Sequence, residues 1–343
     1  MAKPQTRSGN LLPRLAKPLL LGALALGTSV SASAMTVRFA QEYGVGYLPL
    51  MVMRHNGLIQ KYAKQEGIDN VKVTWATFGG GAAMNAALLS GSLDFASGGV
   101  GPLLKIWDKT KGLNNVHGVG ALNSMPNLLN TTNPKVHKLT DLTDKDRISV
   151  PAVKVSIQAI TLEMAAAKQW GMKHYDKLDH LTVSMKHPDA MAALLSGRGE
   201  VDVDFTSPPY FEKELQDPKV HTILSSYDVL GGKSSFNMLW TSATYHKKHP
   251  KMYKAVFEAL QAADKYIAAH PHKAAGIYIQ EANSKLPKSL IYSIITDPKI
   301  EFTTTPKNIM KYAKFMKETG SIDHLPSSWK RVFFKNVWNE NGS

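Results

Sequence analysis

The 343-residue chain contains no cysteine. That absence excludes disulfides, thiolate metal sites, a lipid-attachment cysteine and a cysteine nucleophile together. Beyond its N-terminal leader the chain also lacks any apolar run approaching the roughly 20 residues that a membrane-crossing helix needs. The formal charge is +14, yet no block of five like charges and no nucleic-acid-binding motif accompanies it. The lysines and arginines are scattered, often beside acids, and read as a solvated basic surface, so no nucleic-acid partner is expected. GxSxG, HExxH and P-loop patterns are missing. His246/His249 and His270/His272 sit beside Lys or Pro in surface-like segments, without the supporting pattern of a metal centre. Asp202 and Asp204 share one face of a strand but have no evident partner acid for proton transfer. No catalytic residue, metal or cofactor is predicted.

Acid is absent from the first 34 residues, which carry Lys3, Arg7, Arg14 and Lys17. A short apolar core, Leu19–Gly27, follows this basic leader, and Ala32-Ser33-Ala34 supplies small residues for cleavage after Ala34. This is the pattern of a secretory signal peptide. Without it the chain keeps 37 basic and 27 acidic residues, a net charge of about +10.

The most informative stretch runs from Trp75 to Leu104. An apolar β-prone run, Val71–Trp75, breaks at Phe78-Gly79-Gly80-Gly81. A small-residue helical segment, Ala82–Leu89, stops at Ser90-Gly91. A second apolar run, Leu93–Ala96, breaks at Ser97-Gly98-Gly99. The order strand, glycine loop, helix, strand, glycine loop predicts an α/β unit with both loops at the carboxyl ends of parallel strands, where open sheets bind ligands. Backbone N–H groups at such loops and at the following helix N-terminus suit an anion. About a hundred residues later Asp189–Gly197 repeats the hexamer AALLSG of Ala86–Gly91, and each copy leads into an acidic strand, Leu93-Asp94-Phe95 or Val201–Phe205. Two such units predict two lobes with a cleft between them.

These residues resemble the periplasmic solute-binding proteins of ABC importers, in the nitrate/sulfonate/taurine branch. The resemblance rests on Gly79-Gly80-Gly81, on Ala87–Phe95 as an "ALxSGxxDF" unit, and on Ser97-Gly98-Gly99, and it extends from about Thr36 to Trp338. It implies a two-lobe α/β fold of the type II periplasmic-binding class, with two hinge crossovers. Lobe 1 would comprise residues 35–124, lobe 2 residues 125–235, and residues 236–343 would return to lobe 1 as C-terminal helices. It further implies a periplasmic monomer that captures a small anion and delivers it to a permease in the inner membrane.

Site residues follow partly from that resemblance. Gln41, Tyr43 and Tyr47 lie in the loop after the first strand, as contacts or as loop packing. Gly80, Gly81 and Ala82, with Ser97 and Gly98, would present amides. Ser156 matches a family serine and also suits a helix N-cap. Val153 and Lys154 replace the usual glycines beside it, which could bring a cation near the ligand. Thr206 and Ser207 offer hydroxyls where the family carries "WEP"; this chain reads Ser207-Pro208-Pro209. Met125, Phe236 and Asn237 lie near the two crossovers. Aromatic and methionine side chains around neutral donors suggest an organic sulfonate or sulfate ester, with aromatic carboxylates, nitrate and a pyrimidine thiamine precursor as alternatives. The same fold serves a pyrimidine-synthase enzyme, whose cysteine-rich iron motif is missing here. It also serves LysR-type effector domains, whose DNA-binding helices would stand where the leader stands.

Overall fold

The computed structural model describes residues 34–343. The predicted leader lies outside this range except for Ala34.

Ten strands form two open sheets. Strands β1 (Met35–Gln41) and β2 (Val71–Thr77) pair in parallel. β3 (Ala96–Gly99) continues that sheet through a bridge between Phe39 and Phe95 and a hydrogen bond from Ala40 N–H to the Phe95 carbonyl at 3.1 Å. β4 (Val116–Ala121) and β3 both pair antiparallel with the last strand, β10 (Asn237–Ser242), giving the order β2-β1-β3-β10-β4. The second sheet contains β5 (Leu128–Thr131), β6 (Ile148–Val150), β7 (Thr182–Ser184), β8 (Val203–Thr206) and β9 (His221–Ser225). Its order is β7-β6-β8-β5-β9, with β5 antiparallel to both neighbours. The two sheets therefore share one plan: three parallel strands, then one antiparallel strand that enters from the other lobe, then a fourth strand of the lobe's own.

The alternation of strand and helix follows the sequence pattern closely. The two AALLSG segments become the helices Gly81–Leu89 and His187–Ser196, at equivalent places before β3 and β8. The helix Ile157–Trp170 starts where its N-cap dictates: Ser156 Oγ accepts from Ala159 N–H at 3.3 Å. Ser97-Gly98-Gly99, predicted as a loop, is instead strand β3 itself. Asp94 holds the preceding turn by accepting from Arg38 N–H at 2.8 Å and from the Arg38 guanidinium. A Cβ on Gly99 would lie 2.8 Å from Ile157 Cβ, and one on Gly98 3.0 Å from the Trp240 ring. These two glycines are required for space at a strand surface, not for loop conformation.

The two passages between the sheets run side by side. Leu122 N–H donates to the Asn237 carbonyl at 2.8 Å, and Phe236 N–H to the Asn123 carbonyl at 3.2 Å. Ser124 pairs with Ser235 on one side and with Glu301 on the other. C-terminal helices Pro250–Ala269 and Pro271–Glu281 pack on the helix Leu48–His55 of the first lobe. Glu281 pairs there with Arg54 and His55. The helix Ile309–Glu318 touches helices of both lobes, Tyr312 bonding Thr161 at 2.9 Å.

Candidate functional site

Between the lobes lies a cavity of about 580 Å³. Its first-lobe wall comes from the end of β1 and the turn after it (Gln41 to Gly44), from Met51 and Arg54, and from Tyr278 to Pro287. The second lobe supplies Pro188 and Met191 from the helix His187–Ser196, and Pro209, Tyr210 and Lys213 after β8. The lobes meet beside it. Val45 N–H donates to the Pro208 carbonyl at 3.0 Å. Gly44, at φ 109°, passes so near that a Cβ would lie 2.9 Å from that same oxygen.

Tyr210, the second lobe's aromatic wall, is braced from behind. His187 stacks on it with ring centroids 5.4 Å apart. Thr206 Oγ1 lies 3.0 Å from His187 Nδ1, while Gln158 Nε2 and Ser207 Oγ lie 3.3 and 3.4 Å from Nε2. Burial lowers the His187 pKa to about 4, so the ring is neutral. Gln158 Nε2 is a donor, which makes Nε2 of the ring the acceptor and Nδ1 the protonated nitrogen. Thr206 and Ser207 thus face a histidine, a residue that the sequence reading did not single out.

At the inner end the anticipated amide cradle is filled by the chain's own carboxyl. The Glu42 carboxyl faces the Gly81 amide and the Tyr47 hydroxyl, which both hold its proton affinity down. Its Oε1 would lie 3.6 Å from a Cβ on Gly81 and 3.2 Å from one on Gly98. Tyr47 in turn accepts from Asn237 Nδ2 at 2.9 Å, and Asn123 Nδ2 lies 3.2 Å from Asn237 Oδ1. Burial is the main cause that raises the Glu42 carboxyl to about 8. Five predicted positions, Tyr47, Gly81, Gly98, Asn237 and Gln41, are thereby gathered around a residue that was not predicted.

The other predicted positions divide. Tyr43 and Gln41 line the cavity. Ser156, Phe236, Gly81 and Asn237 border a gap of about 10 Å³ next to Glu42. Gly80 and Ala82 line a separate shallow groove with Pro151, Ser184 and Lys186, which neither Gly81 nor Glu42 borders. Ser97 Oγ donates to the Ala40 carbonyl at 2.6 Å and so joins β3 to β1. Met125 is buried in the first lobe's core. Lys154 pairs with Asp179 at 3.5 Å and does not border the cavity. Sequence reasoning also missed Tyr210, Tyr278 and Lys213, because nothing local marks them as cavity wall. The Gln41-Glu42 pair did carry a signal: two adjacent polar residues at the carboxyl end of a strand, where open sheets bind ligands.

Two sheets of this order, joined by two paired crossings with a cavity between them, define the two-lobe periplasmic-binding-protein fold. Solved structures agree. The alkanesulfonate-binding protein SsuA from Xanthomonas axonopodis pv. citri, bound to MOPS, superimposes with a TM-score of 0.66 at 18% identity, covering 88% of this chain and 97% of that one. The periplasmic nitrate-binding protein NrtA from Synechocystis PCC 6803 gives 0.64 at 15% identity, covering 90% and 88%. A conserved Candida albicans protein with the generic periplasmic-binding-protein fold gives 0.61 at 16%, covering 87% and 94%. At these identities the likeness is one of fold. No family profile and no curated protein matches the sequence.

Proposed function

We propose that the chain is the solute-binding component of an ABC uptake system. In this reading it is exported to the periplasm as a monomer, takes a small organic anion into the interlobe cavity, and hands it to an inner-membrane permease. The observation that carries the reading is the cavity of about 580 Å³ walled by both lobes, a size typical of small-molecule sites. Closure around a solute then follows from its touching both walls at once. In this reading the chain changes lobe near 124/125 and again near 235/236, a division that the paired backbone bonds around Asn123 and Phe236 support.

Positive charge at the cavity supports an acidic ligand. Lys213 and Lys285 line it, and neither forms an ion pair among the described residues. Tyr43, Tyr210, Tyr278 and Met51 offer apolar surface for a tail. Nitrate would leave most of this volume empty, which favours an organic sulfonate, sulfate ester or aromatic carboxylate. The reading is of a binding protein rather than an enzyme, as the sulfonate-binding and nitrate-binding proteins of the same fold are.

A thermal-shift panel on the mature protein tests this, with alkyl and aryl sulfonates, sulfate esters, aromatic carboxylates, nitrate and pyrimidines. A ligand at a hundred times its Kd adds about 2.7 kcal/mol to the native state. The expected hit is an organic acid whose affinity drops about tenfold in Lys213→Ala/Lys285→Ala. A response to nitrate alone, or an organic-acid hit indifferent to both lysines, would sink the assignment.

A further inference from the structure

The inner end of the cavity is built from acceptors. Gln41 is 4% exposed, and its Oε1 is buried with no hydrogen-bond partner. Glu42, next in sequence, is also buried and borders the same cavity. The two donors facing it, the Gly81 amide and the Tyr47 hydroxyl, leave lone pairs of the carboxylate unused. No ion pair among the described residues includes Glu42. Arg54, the guanidinium on the same wall, is held by Glu281. A buried acceptor without a donor costs about 1–3 kcal/mol, and an uncompensated carboxylate more. Such groups persist where something outside the chain completes them.

We infer that Gln41 and Glu42 form a subsite for a nitrogen-centred hydrogen-bond donor, so that the ligand enters with an amine, amidine or amino-heterocycle facing the bottom of the cavity. This rests on the solute-binding reading above and adds the polarity of the ligand's inner end. An acidic group is disfavoured at that end, where the Glu42 carboxyl itself lies against Gly81. An ammonium or amidinium supplies the missing donor to Gln41 Oε1 and a counter-charge beside which Glu42 would ionise.

Matched pairs of probes test the subsite by calorimetry on the mature protein: sulfanilate against benzenesulfonate, 4-aminobenzoate against benzoate, and benzamidine alone. The amino member of each pair, or benzamidine, is expected to bind about tenfold tighter or better, the value of one hydrogen bond to a charged group. Glu42→Gln keeps the shape but removes the charge, and should erase that preference. Gln41→Leu should reduce it independently, which keeps the test available if the first variant does not fold. Equal affinities within every pair, or a preference intact in both variants, would overturn the donor subsite while leaving solute capture standing. Failure of all five probes, with a hit only among amino-free acids, would do the same. Failure of every compound in both panels would overturn the two readings together.

Discussion

Tyr47 shows how much depends on a single hydroxyl. It sits 1% exposed between two buried groups, facing the Glu42 carboxyl and accepting from Asn237 Nδ2. Removing it in Tyr47→Phe leaves an acceptor and a donor unsatisfied at once, at a cost of about 1–3 kcal/mol. Urea unfolding should show a lower midpoint at unchanged slope. Stability equal to the parent would mean that water replaces the hydroxyl. The sequence offered Tyr47 as a ligand contact or as packing; the structure makes it a support for Glu42. What hid Glu42 is that its burial depends on Gly81 and Gly98, some forty and fifty-six residues further on, closing over it. A strand-end carboxylate reads as solvated until those neighbours are known.

At the scale of elements, one glycine of the helix Val100–Lys109, Gly101, sets how closely that helix meets the second lobe. A Cβ on Gly101 would lie 2.4 Å from Ile160 Cδ1 and 2.7 Å from the Val155 carbonyl, both on the second lobe. The isoleucine tip can turn aside; the backbone oxygen cannot. Gly101→Ala should therefore drive a wedge between the lobes, costing about 1–3 kcal/mol of the closed arrangement. Small-angle scattering should record a larger radius of gyration for the variant without ligand, and an unchanged radius would refute the wedge. Elements of this kind were legible in part. The helix Ile157–Trp170 and the repeated AALLSG helices could be read from spacing and caps alone. Strand β5 could not: it has four residues, and its Asn130 and Thr131 look like loop. They are buried because distant groups satisfy them, Glu214 and Thr222 for Asn130 and the Asp202 carbonyl for Thr131. The helix Lys288–Ile295 was missed as well, lacking a cap signal at its start.

Across the whole molecule, buried acids give the stability a slope with pH. Burial raises Glu42 and Glu212 to about 8 and Glu163 to about 7. Asp204 and Glu214 face each other in the second lobe, where burial and mutual repulsion hold a shared proton far above the carboxylate range. Each of these groups binds its proton more tightly folded than unfolded. Their contribution is complete below about pH 4.5 and is lost as pH climbs through 6 to 8. His187 acts oppositely: neutral when buried, it loses stability as pH falls from 6.5 toward 4. The acids outnumber the imidazole, so thermal melts should show the melting temperature falling between pH 5.5 and 8.5. Glu214→Gln should flatten part of that fall. A melting temperature constant or rising over this range would mean that the buried carboxyls are already ionised.

The chain of hydrogen bonds behind Glu42 has a consequence for how the molecule reports occupancy. Asn123 lies on the first crossing, and Asn237 opens the strand that follows the second. The axle on which the two halves turn is therefore fastened, through Tyr47, to the floor of the cavity. On the solute-binding reading, a guest that tugs on this floor would load the axle directly. On the proposed reading, a permease collecting the cargo would need to sense only the angle of that axle.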